Sequence, residues 1–590
     1  MQSKNLLKIP NFTRRAIQGF PRSWSQLSNR EIIELNLMAT FVGVLTGYAA
    51  IGFRFLIGFL QNTILHDSWD YHLISPIDHV RGEWMFLIVP VGLLISTLIT
   101  RYFAPEAKGH GVPEVIQAIW RNGGKIRART VGLKALASGI TIASGGSVGR
   151  EGPIVQIGSA IGSTLGQFFH LRPKLLKTLV GCGSAGAIAA TFNTPIAGVI
   201  FAIEIIVLEF KTRSFVPLVI SSVFATVISR NHLGNEPAFF VPEYHLLSAQ
   251  ELVFYLGLGV LAGIVGVLFI RFLYFGEDLF DNAQVPFWTK PIFAGILLAS
   301  VGYYYPGMFG VGYETVTDAL QQQSHFLLMF GFVFLKIFST TITLAGGGSG
   351  GVFAPSLFIG AMLGGAYGHF VHDLFPEMTA NYGAYALVGM AALFSATGRA
   401  TFTAIVILFE MTLDYSIILP LMFACVTADQ VSSLISRDSI YTLKLKRKGF
   451  AFKHEISVNI MSITPIRDIM TTALHFGHVK MTLSEMANEL LQYEHSLYPV
   501  LDDHGRLAGV FPVNKLIRLS AKEPDALAQD HMDEPTTTID MNEMVEDALK
   551  KFGKSRDPRI LVVDGSKKKL VGILSPVDLI RLSSRDLENS

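Results

Sequence analysis

The stretch Gly149-Arg-Glu-Gly-Pro153 places a carboxylate between two glycines, immediately before a long apolar segment. A charged group inside a bilayer costs at least ~2.5–3.5 kcal/mol, so such a residue usually marks function. Helix N-termini stabilise anions through their free N–H groups and the helix dipole. Glu151 is itself an anion at a place where a permeant anion would bind, and its protonation would vacate that place. The alternative is a charged residue in a loop at the membrane surface.

Two other segments also place glycines immediately before a predicted helix. Gly346-Gly-Gly-Ser-Gly-Gly-Val-Phe-Ala-Pro355 is a glycine-rich approach to another apolar helix, and its glycines let the N–H groups of Val352 and Phe353 face a cavity. It lacks the Gly-x4-Gly-Lys-[Ser/Thr] pattern, so it does not predict a phosphate loop. Gly109-His-Gly-Val-Pro113 is a short loop between glycines that leads into an amphipathic segment. Each is unspecific alone, but three helix starts framed by glycine and proline in one membrane chain are a specific pattern.

The sequence also contains an internal repeat. Pro153-x4-Gly158-x3-Gly162 recurs as Pro355-x4-Gly360-x3-Gly364 at an offset of 202 residues, and Gly183 to Glu204 matches Gly389 to Glu410 at an offset of 206. Duplicated halves of a membrane protein place a binding site at their interface. The alternative is generic packing of small residues, because Gly-x3-Gly is common in membrane helices.

Charge is distributed unevenly along the 590 residues. Residues 451–590 contain 38 charged side chains in 140 positions, whereas the first 450 residues contain 56. The apolar stretches of that first part are often too short for the ~20 residues that span a bilayer, and glycine and proline interrupt many of them. We therefore predict a polytopic all-α membrane protein with broken helices, followed by a water-soluble part. A wholly soluble enzyme, a secreted disulfide scaffold and a disordered chain are excluded.

Other whole-chain properties limit the partners. The net charge of +2 gives no indication of nucleic acid, and the two cysteines allow no zinc site. We expect no enzymatic activity, because neither a nucleophile–base pair nor a metal constellation is recognisable. Basic residues at both ends of the apolar part place the N-terminal tail, residues 1–32, and the C-terminal part in the cytoplasm. We expect the cell membrane as the location.

The C-terminal part is a tandem α/β repeat. Residues 464–520 and 530–586 each contain a helix-like start, an apolar strand, a turn, a second strand and a helix. With the tandem repeat beginning at residue 464, we assign residues 33–440 to the membrane domain and residues 441–463 to a linker.

Taken together, these motifs resemble the CLC family of chloride channels and chloride/proton exchangers, over about residues 30–586. The most specific parts are Gly149 to Pro153, Gly351-Val-Phe-Ala-Pro355, and Asn193-Thr-Pro-Ile-Ala-Gly-Val-Ile-Phe-Ala-Ile-Glu204. Ser439-Ile-Tyr441 is similar to the segment that carries the family's pore-facing tyrosine. The tandem repeat looks like the pair of CBS domains that many members carry. The resemblance implies two inverted halves and a homodimer with one pore per subunit.

The resemblance also implies roles for single residues. Glu151 would be the gating glutamate, and the amides of Val352 and Phe353 with the hydroxyl of Tyr441 would bind chloride. Lys134 and Arg150 would be nearby cations that favour anions. For Lys134 the alternative is a lysine that reaches to the membrane surface, and for Tyr441 it is an interfacial tyrosine.

Two positions depart from the family pattern. His110 stands where the family usually has serine, so the imidazole would contact the anion or turn away and pack. Ile205 stands where many exchangers carry a second, internal glutamate, and an isoleucine cannot relay a proton. We therefore expect a chloride channel, with chloride/proton exchange as the alternative. A third possibility is a sensor that the membrane part merely anchors. Glu204 is expected to be structural, together with its repeat mate Glu410.

The resemblance implies no required cofactor. Some CBS pairs bind an adenine nucleotide through a Ser or Thr and an Asp at the start of the last helix. Ser575 and Asp578 fit that pattern in the second repeat, whereas Pro512 and Lys515 stand at those places in the first. The alternative is a CBS pair that serves only dimerisation.

Overall fold

The described residues form two compact units, separated near residue 452. The structure is a computed structural model that describes residues 28–71, 82–208, 212–235, 248–450, 464–493, 495–535, 537–552, 559–565 and 569–588. Most of the predicted N-terminal tail and residues 451–463 of the predicted linker lie outside these ranges. The first ten residues of that linker belong to the first unit, where they continue a short helix.

Within its described residues, the first unit is entirely helical. Its α-helices are α1 Ser28–Gln61, α2 Met85–Tyr102, α3 Val112–Arg121, α4 Thr130–Ala143, α5 Glu151–Phe168, α6 Pro173–Phe192, α7 Pro195–Phe201, α8 Thr212–Leu233, α9 Leu252–Asn282, α10 Thr289–Tyr304, α11 Tyr313–Leu320, α12 Phe326–Ala345, α13 Phe353–Leu374, α14 Tyr382–Gly398, α15 Thr401–Thr412, α16 Ile418–Ile435 and α17 Ile440–Arg447. A π-helical turn, Ala202–Val207, continues α7.

Helix length confirms the expectation of many broken helices. In the described part of the chain, seven helical segments are long and apolar enough to cross a membrane, while other apolar helices have only 10–17 residues. Backbone that ends at membrane depth must be buried in protein or line a cavity. The starts of α5 and α13 fit this rule, because their first residues, Glu151 and Phe353, are buried.

The helices repeat in order, because α1–α8 correspond to α9–α16. The two halves meet where Gly149 and Gly351 exchange both backbone hydrogen bonds, at N···O distances of 2.8 and 2.7 Å. These residues are 202 positions apart, so each pairs antiparallel with its own repeat mate. Such a pair lies on a two-fold pseudosymmetry axis, as inverted halves require.

Further contacts obey the same symmetry. The Ser147 amide donates to the Thr343 hydroxyl at 3.1 Å, and the Ser349 amide donates to the Thr141 hydroxyl at 3.2 Å. The two contacts are equivalent, because Ser349 is the repeat mate of Ser147 and Thr343 is the repeat mate of Thr141. The repeat seen in the sequence is therefore a structural repeat.

Close helix crossings explain the repeated glycines. A Cβ atom on Gly158 would lie 2.3 Å from the Gly183 carbonyl oxygen, where α5 crosses α6. One on Gly360 would lie 2.3 Å from the Gly389 carbonyl oxygen, where α13 crosses α14. Helices whose driving force is van der Waals packing approach closely at small residues. The glycines are thus a packing requirement of both halves.

The second unit contains two three-stranded sheets, ordered β1-β2-β3 and β4-β5-β6. In each sheet the first pair of strands is parallel and the second pair antiparallel. The strands are β1 Gly477–His478, β2 Leu497–Leu501, β3 Leu507–Pro512, β4 Thr538–Asp540, β5 Ile560–Asp564 and β6 Lys569–Leu574. The helices are α18 Leu483–Leu490, α19 Val513–Lys522, α20 Ala528–His531, α21 Val545–Phe552 and α22 Pro576–Glu588.

The two repeats exchange their leading segments. Ile466 is buried in the core of the second sheet, and its amide donates to the Glu543 carbonyl at 2.9 Å. Conversely, Asp533 pairs with Val510 in the first sheet. Each segment therefore precedes one repeat in the chain and packs on the other in space.

We expect Gly360→Ala to destabilise the membrane unit, because the added Cβ would overlap the backbone of Gly389. Overpacking of this kind costs ~1–3 kcal/mol. Thermal stability in detergent, followed by size-exclusion chromatography, measures the effect. Gly331→Ala on α12 is the matched control, because a Cβ there meets nothing within 4 Å. Equal melting temperatures for both variants would contradict the close crossing.

Candidate anion pathway

Three glycine-framed loops meet where α5 and α13 begin. The backbone of Gly109 pairs with that of Ser349 in an isolated β-bridge, and the backbone of Gly149 pairs with that of Gly351 in another. A Cβ on Gly152 would lie 2.1 Å from the His110 carbonyl oxygen and 2.9 Å from the Gly351 Cα. The first turn of each helix has N–H groups without intrahelical acceptors. The three helix starts singled out in the sequence therefore face one small region, which tertiary contact alone creates.

Glu151 is the first residue of α5, and its side chain is almost completely buried. Its Oε1 accepts a hydrogen bond from the Tyr313 hydroxyl at 2.5 Å, and the Arg150 Nε lies 3.8 Å from the same oxygen. Among the described residues, no hydrogen-bond donor reaches its Oε2. The carboxylate is thus buried between the halves rather than in a surface loop.

Sequence analysis missed Tyr313, which begins α11 in the second half. The repeat contained a signal for it, because Gly312 follows Gly111 by 201 residues, and both precede a short helix. The Arg150 guanidinium also lies 5.5 Å from the centroid of the Tyr313 ring. A phenol of one half therefore holds the carboxylate of the other.

Lys134 is fully buried and does not reach a surface. Its Nζ donates to the Gly109 carbonyl at 2.8 Å, the Ala107 carbonyl at 2.9 Å and the Ser349 hydroxyl at 3.0 Å. Three acceptors satisfy the three donors of an ammonium group. Lys134 therefore ties the His110 loop to the glycine-rich loop of the other half.

Lys336 is the repeat mate of Lys134, 202 residues later, and was not recognised in the sequence. It is also fully buried, and its Nζ donates to the Gly310 carbonyl at 3.1 Å and the Met308 carbonyl at 3.4 Å. Gly310 and Met308 are the repeat mates of Gly109 and Ala107, which lie 201 residues earlier and accept from Lys134. Both halves thus hold their loop with a buried lysine.

Val352, Phe353 and Tyr441 are buried in one apolar cluster. Val352 precedes α13 and Phe353 is its first residue, so their N–H groups belong to the open end of that helix. Tyr441 is the second residue of α17, where the Ser439 hydroxyl accepts its amide at 3.3 Å. The burial of Tyr441 is inconsistent with an interfacial tyrosine.

His110 is completely buried, and neither ring nitrogen has a hydrogen-bond partner among the described residues. Its Nε2 lies 3.8 Å from Glu277 Oε1, on α9. Glu277 also lines a polar cavity of about 810 Å³, together with Glu114, Asp281 and Lys444. The imidazole therefore stands between the loop region and this cavity.

Glu204 and Glu410 form reciprocal helix caps. Glu204 accepts the amides of Phe402 and Thr403 at 3.2 and 2.8 Å, at the start of α15. Glu410 accepts the amides of Ile196 and Ala197 at 3.0 and 2.7 Å, at the start of α7. Carboxylates stabilise helix N-termini in this way.

Ile205 follows Glu204 in the π-helical turn and is buried in the main apolar cluster. It offers no proton-carrying group there.

In the second unit, Ser575 and Asp578 are brought together at the start of α22. The Asp578 carboxylate accepts the Ser575 amide at 2.8 Å and the Ser575 hydroxyl at 2.7 Å. In the first repeat, Lys515 instead pairs with Asp533 at 2.5 Å.

Two family matches cover most of the chain. Residues 92–433 match the family described as voltage gated chloride channel, and residues 466–522 and 528–585 match the CBS domain. The chain therefore belongs to the voltage-gated chloride channel, or CLC, family. The resemblance drawn from the motifs and the predicted fold class are both confirmed, and CLC-type anion transport is the activity of this class.

Two curated relatives are similar to this chain over most of their own length. A protein of Ralstonia nicotianae named putative chloride channel protein ClcB-like is 33% identical over 62% of this chain and 86% of its own length. The H(+)/Cl(−) exchange transporter ClcA of Vibrio parahaemolyticus is 31% identical over 70% of this chain and 89% of its own length.

Solved structures share the fold. A slow cyanobacterial Cl−/H+ antiporter superposes with a TM-score of 0.64 at 28% identity, over 70% of this chain and 97% of that structure. A eukaryotic CLC transporter superposes with a TM-score of 0.60 at 21% identity, over 93% of this chain and 99% of that structure.

We expect Glu204→Gln and Glu410→Gln each to lower the free energy of unfolding by about 1–2 kcal/mol. The amide replaces charge-assisted hydrogen bonds by neutral ones, which are weaker. Thermal stability in detergent tests this, with Glu377→Gln on the exposed surface as control. Parent-like stability of both variants would show that the reciprocal caps do not hold the halves together.

Proposed function

We propose that this protein exchanges chloride for protons across a membrane, with Glu151 as the group that both carries the proton and gates the anion. The observation behind the proposal is the buried Glu151 carboxylate at the junction of the two halves, beside the open N-terminus of α13. A carboxylate and a permeant anion compete for the same positive environment. Protonation of Glu151 removes that competition, which couples the two movements.

We propose chloride/proton exchange in place of the chloride channel that the sequence led us to expect. The channel expectation depended on Ile205 alone, which removes one possible proton carrier. Relatives named H(+)/Cl(−) exchangers match 70% of this chain, and a structural neighbour is described as a Cl−/H+ antiporter. These names favour exchange, so the proton must reach Glu151 by another route.

The anion would bind at the meeting point of the loops. The N–H groups of Val352 and Phe353 and the Tyr441 hydroxyl are the donors we assign to chloride, with His110 beside them. Lys134 adds positive potential while its own hydrogen bonds stay satisfied. Arg150 acts on Glu151 from the other side, at 3.8 Å.

The remaining assignments follow the family. We propose a homodimer in the cell membrane with one pathway per subunit and with the CBS pair and both termini in the cytoplasm. Ser575 and Asp578 would hold an adenine nucleotide that regulates transport, and their adjacency at the start of α22 supports this.

Reconstituted liposomes distinguish exchange from conduction. We expect an outward chloride gradient to drive protons inward against their own gradient in vesicles that contain the parent protein. A pH electrode records the uptake, and a proton ionophore abolishes it. Chloride efflux without proton movement would establish a channel and contradict the proposal.

We expect Glu151→Gln to abolish proton movement and to remove most of the pH dependence of chloride efflux. The amide is neutral at every pH, so it imitates the protonated state and cannot exchange a proton. Chloride and pH electrodes in the same vesicle suspension measure both fluxes. Glu83→Gln, at an exposed position, is the control. A pH profile that matches the parent would exclude Glu151 from the gate.

We expect Tyr313→Phe to raise chloride efflux at pH 7 several-fold, up to about tenfold. The phenol donates to the gate carboxylate, and hydrogen bonds to charged groups contribute ~1.5–3 kcal/mol. Its loss releases the carboxylate from the pathway more often. Tyr304→Phe, an exposed tyrosine of α10, is the matched control. Unchanged efflux would show that Tyr313 does not hold the gate.

A further inference from the structure

Proton exchange needs a carrier between the aqueous phase and Glu151, and the position of Ile205 cannot supply it. Glu204, its neighbour, already binds the amides of Phe402 and Thr403 and the Thr403 hydroxyl. Its carboxylate is therefore already used as the cap of α15. Other carboxylates line the polar cavity, next to the loops.

Two carboxylates of the cavity lie close to His110, but they differ in how firmly they are held. Glu114 accepts the Gly111 amide at 3.1 Å and pairs with Lys448 at 3.1 Å, so it caps α3 and is already neutralised. Glu277 has only longer contacts, 3.8 Å to His110 Nε2 and 4.0 Å to Lys444 Nζ. Among the described residues, no hydrogen-bond donor reaches Glu277, so it is the less constrained of the two carboxylates.

We propose that Glu277 and His110 form the internal proton relay of this protein, which replaces the glutamate absent at Ile205. The inference rests on the proposed exchange function. Glu277 is 20% exposed at the cavity, whereas His110 is completely buried with both ring nitrogens unpartnered among the described residues. The pair thus joins water on one side to the buried loops on the other.

The His110 backbone lies against the first turn of α5, the helix that Glu151 begins. Its carbonyl oxygen would lie 2.1 Å from a Cβ on Gly152, the residue after Glu151. Lys134 holds the same loop through the Gly109 carbonyl. The imidazole is therefore attached to a rigid loop that touches the first turn of α5.

The charges around His110 come from four helices. Lys134 on α4, Lys444 on α17 and Lys448 just after it act against a charged imidazole, and Glu277 on α9 favours it. Glu114 on α3 is paired with Lys448 and lies 3.9 Å from Lys444. Tyr274 on α9 faces the ring at a centroid distance of 6.3 Å. Charges of both signs therefore face the imidazole, and the Glu277 carboxylate lies 3.8 Å from its Nε2.

The relay moves one proton and no electrons. A hydronium ion of the aqueous phase gives a proton to the Glu277 carboxylate and becomes water, and the carboxylic acid then gives its proton to His110 Nε2 and becomes a carboxylate again. The imidazolium passes one proton on to the Glu151 carboxylate along the pathway and becomes neutral again. The 3.8 Å separation exceeds a direct hydrogen bond of ~2.7–3.2 Å, so a small side-chain rotation or one water closes the first step.

The test is the number of protons moved per chloride in liposomes, recorded with chloride and pH electrodes in one suspension. We expect Glu277→Gln and His110→Gln each to lower this ratio at least tenfold, since an amide cannot relay a proton. Glu277→Asp keeps a carboxylic acid and should retain a measurable part of the ratio. Asp281→Asn is the matched control, one turn along α9 on the same cavity, and should keep the parent ratio.

The outcomes separate the relay from the exchange function. A parent protein that moves protons uphill, with an unchanged ratio in Glu277→Gln or His110→Gln, overturns the relay and leaves exchange in place. A parent without proton movement overturns both. If His110→Gln does not fold, His110→Ser takes its place, because the family commonly carries serine there. An equal loss in Asp281→Asn would assign the effect to the charge of the cavity and overturn the relay.

Discussion

The pair of hydrogen bonds between Gly149 and Gly351 is the contact on which the membrane unit depends. Each residue donates to and accepts from its own repeat mate, at 2.8 and 2.7 Å. Only glycine leaves the room for two backbones to meet here, because a Cβ on Gly351 would lie 2.7 Å from the Gly152 nitrogen. From this contact two helices begin, so the open N–H groups of both first turns and the Glu151 carboxylate lie in one buried region.

Buried charges hold the two halves in this arrangement. Lys134 joins the loop of one half to Ser349 of the other, and Glu204 and Glu410 each cap a helix of the opposite half. An uncompensated charge in this environment costs several kcal/mol, so each is stable only when both halves are in place. Glu151 is likewise compensated across the halves, because Tyr313 of the second half donates to it, while Arg150 of its own half lies 3.8 Å away.

The C-terminal unit is stabilised differently from the membrane unit, because its stability comes from burying apolar side chains away from water. Each sheet buries its own cluster, around Tyr498 in the first and Val562 in the second. The exchanged segments at Ile466 and Asp533 tie the repeats to each other. Hydrogen bonds from the backbone of Asn542 and Gly565 lower the pKa of Asp540 at the edge of the second sheet.

Several properties of this protein were determined by local sequence. Charge density separated the two units, glycine and proline spacing indicated broken helices, and the offset of 202 residues revealed the repeat. Such patterns are readable because helix starts, turns and burial depend on residues near in the chain. The same patterns singled out Glu151, Val352 and Phe353, since each stands beside the glycines that shape its loop.

Tertiary structure alone decided which distant residues meet. Tyr313 reaches Glu151 across 162 positions, Lys336 mirrors Lys134, and Glu277 lies beside His110 across 167 positions. A tyrosine, lysine or glutamate in an apolar helix has no local pattern that names its partner. These pairings arise from the packing of α9, α11 and α12 against the loops, where a buried polar group is stable only beside a complementary one. The sequence by itself therefore determined the class of protein and singled out Glu151, and the fold decided which residues surround that carboxylate.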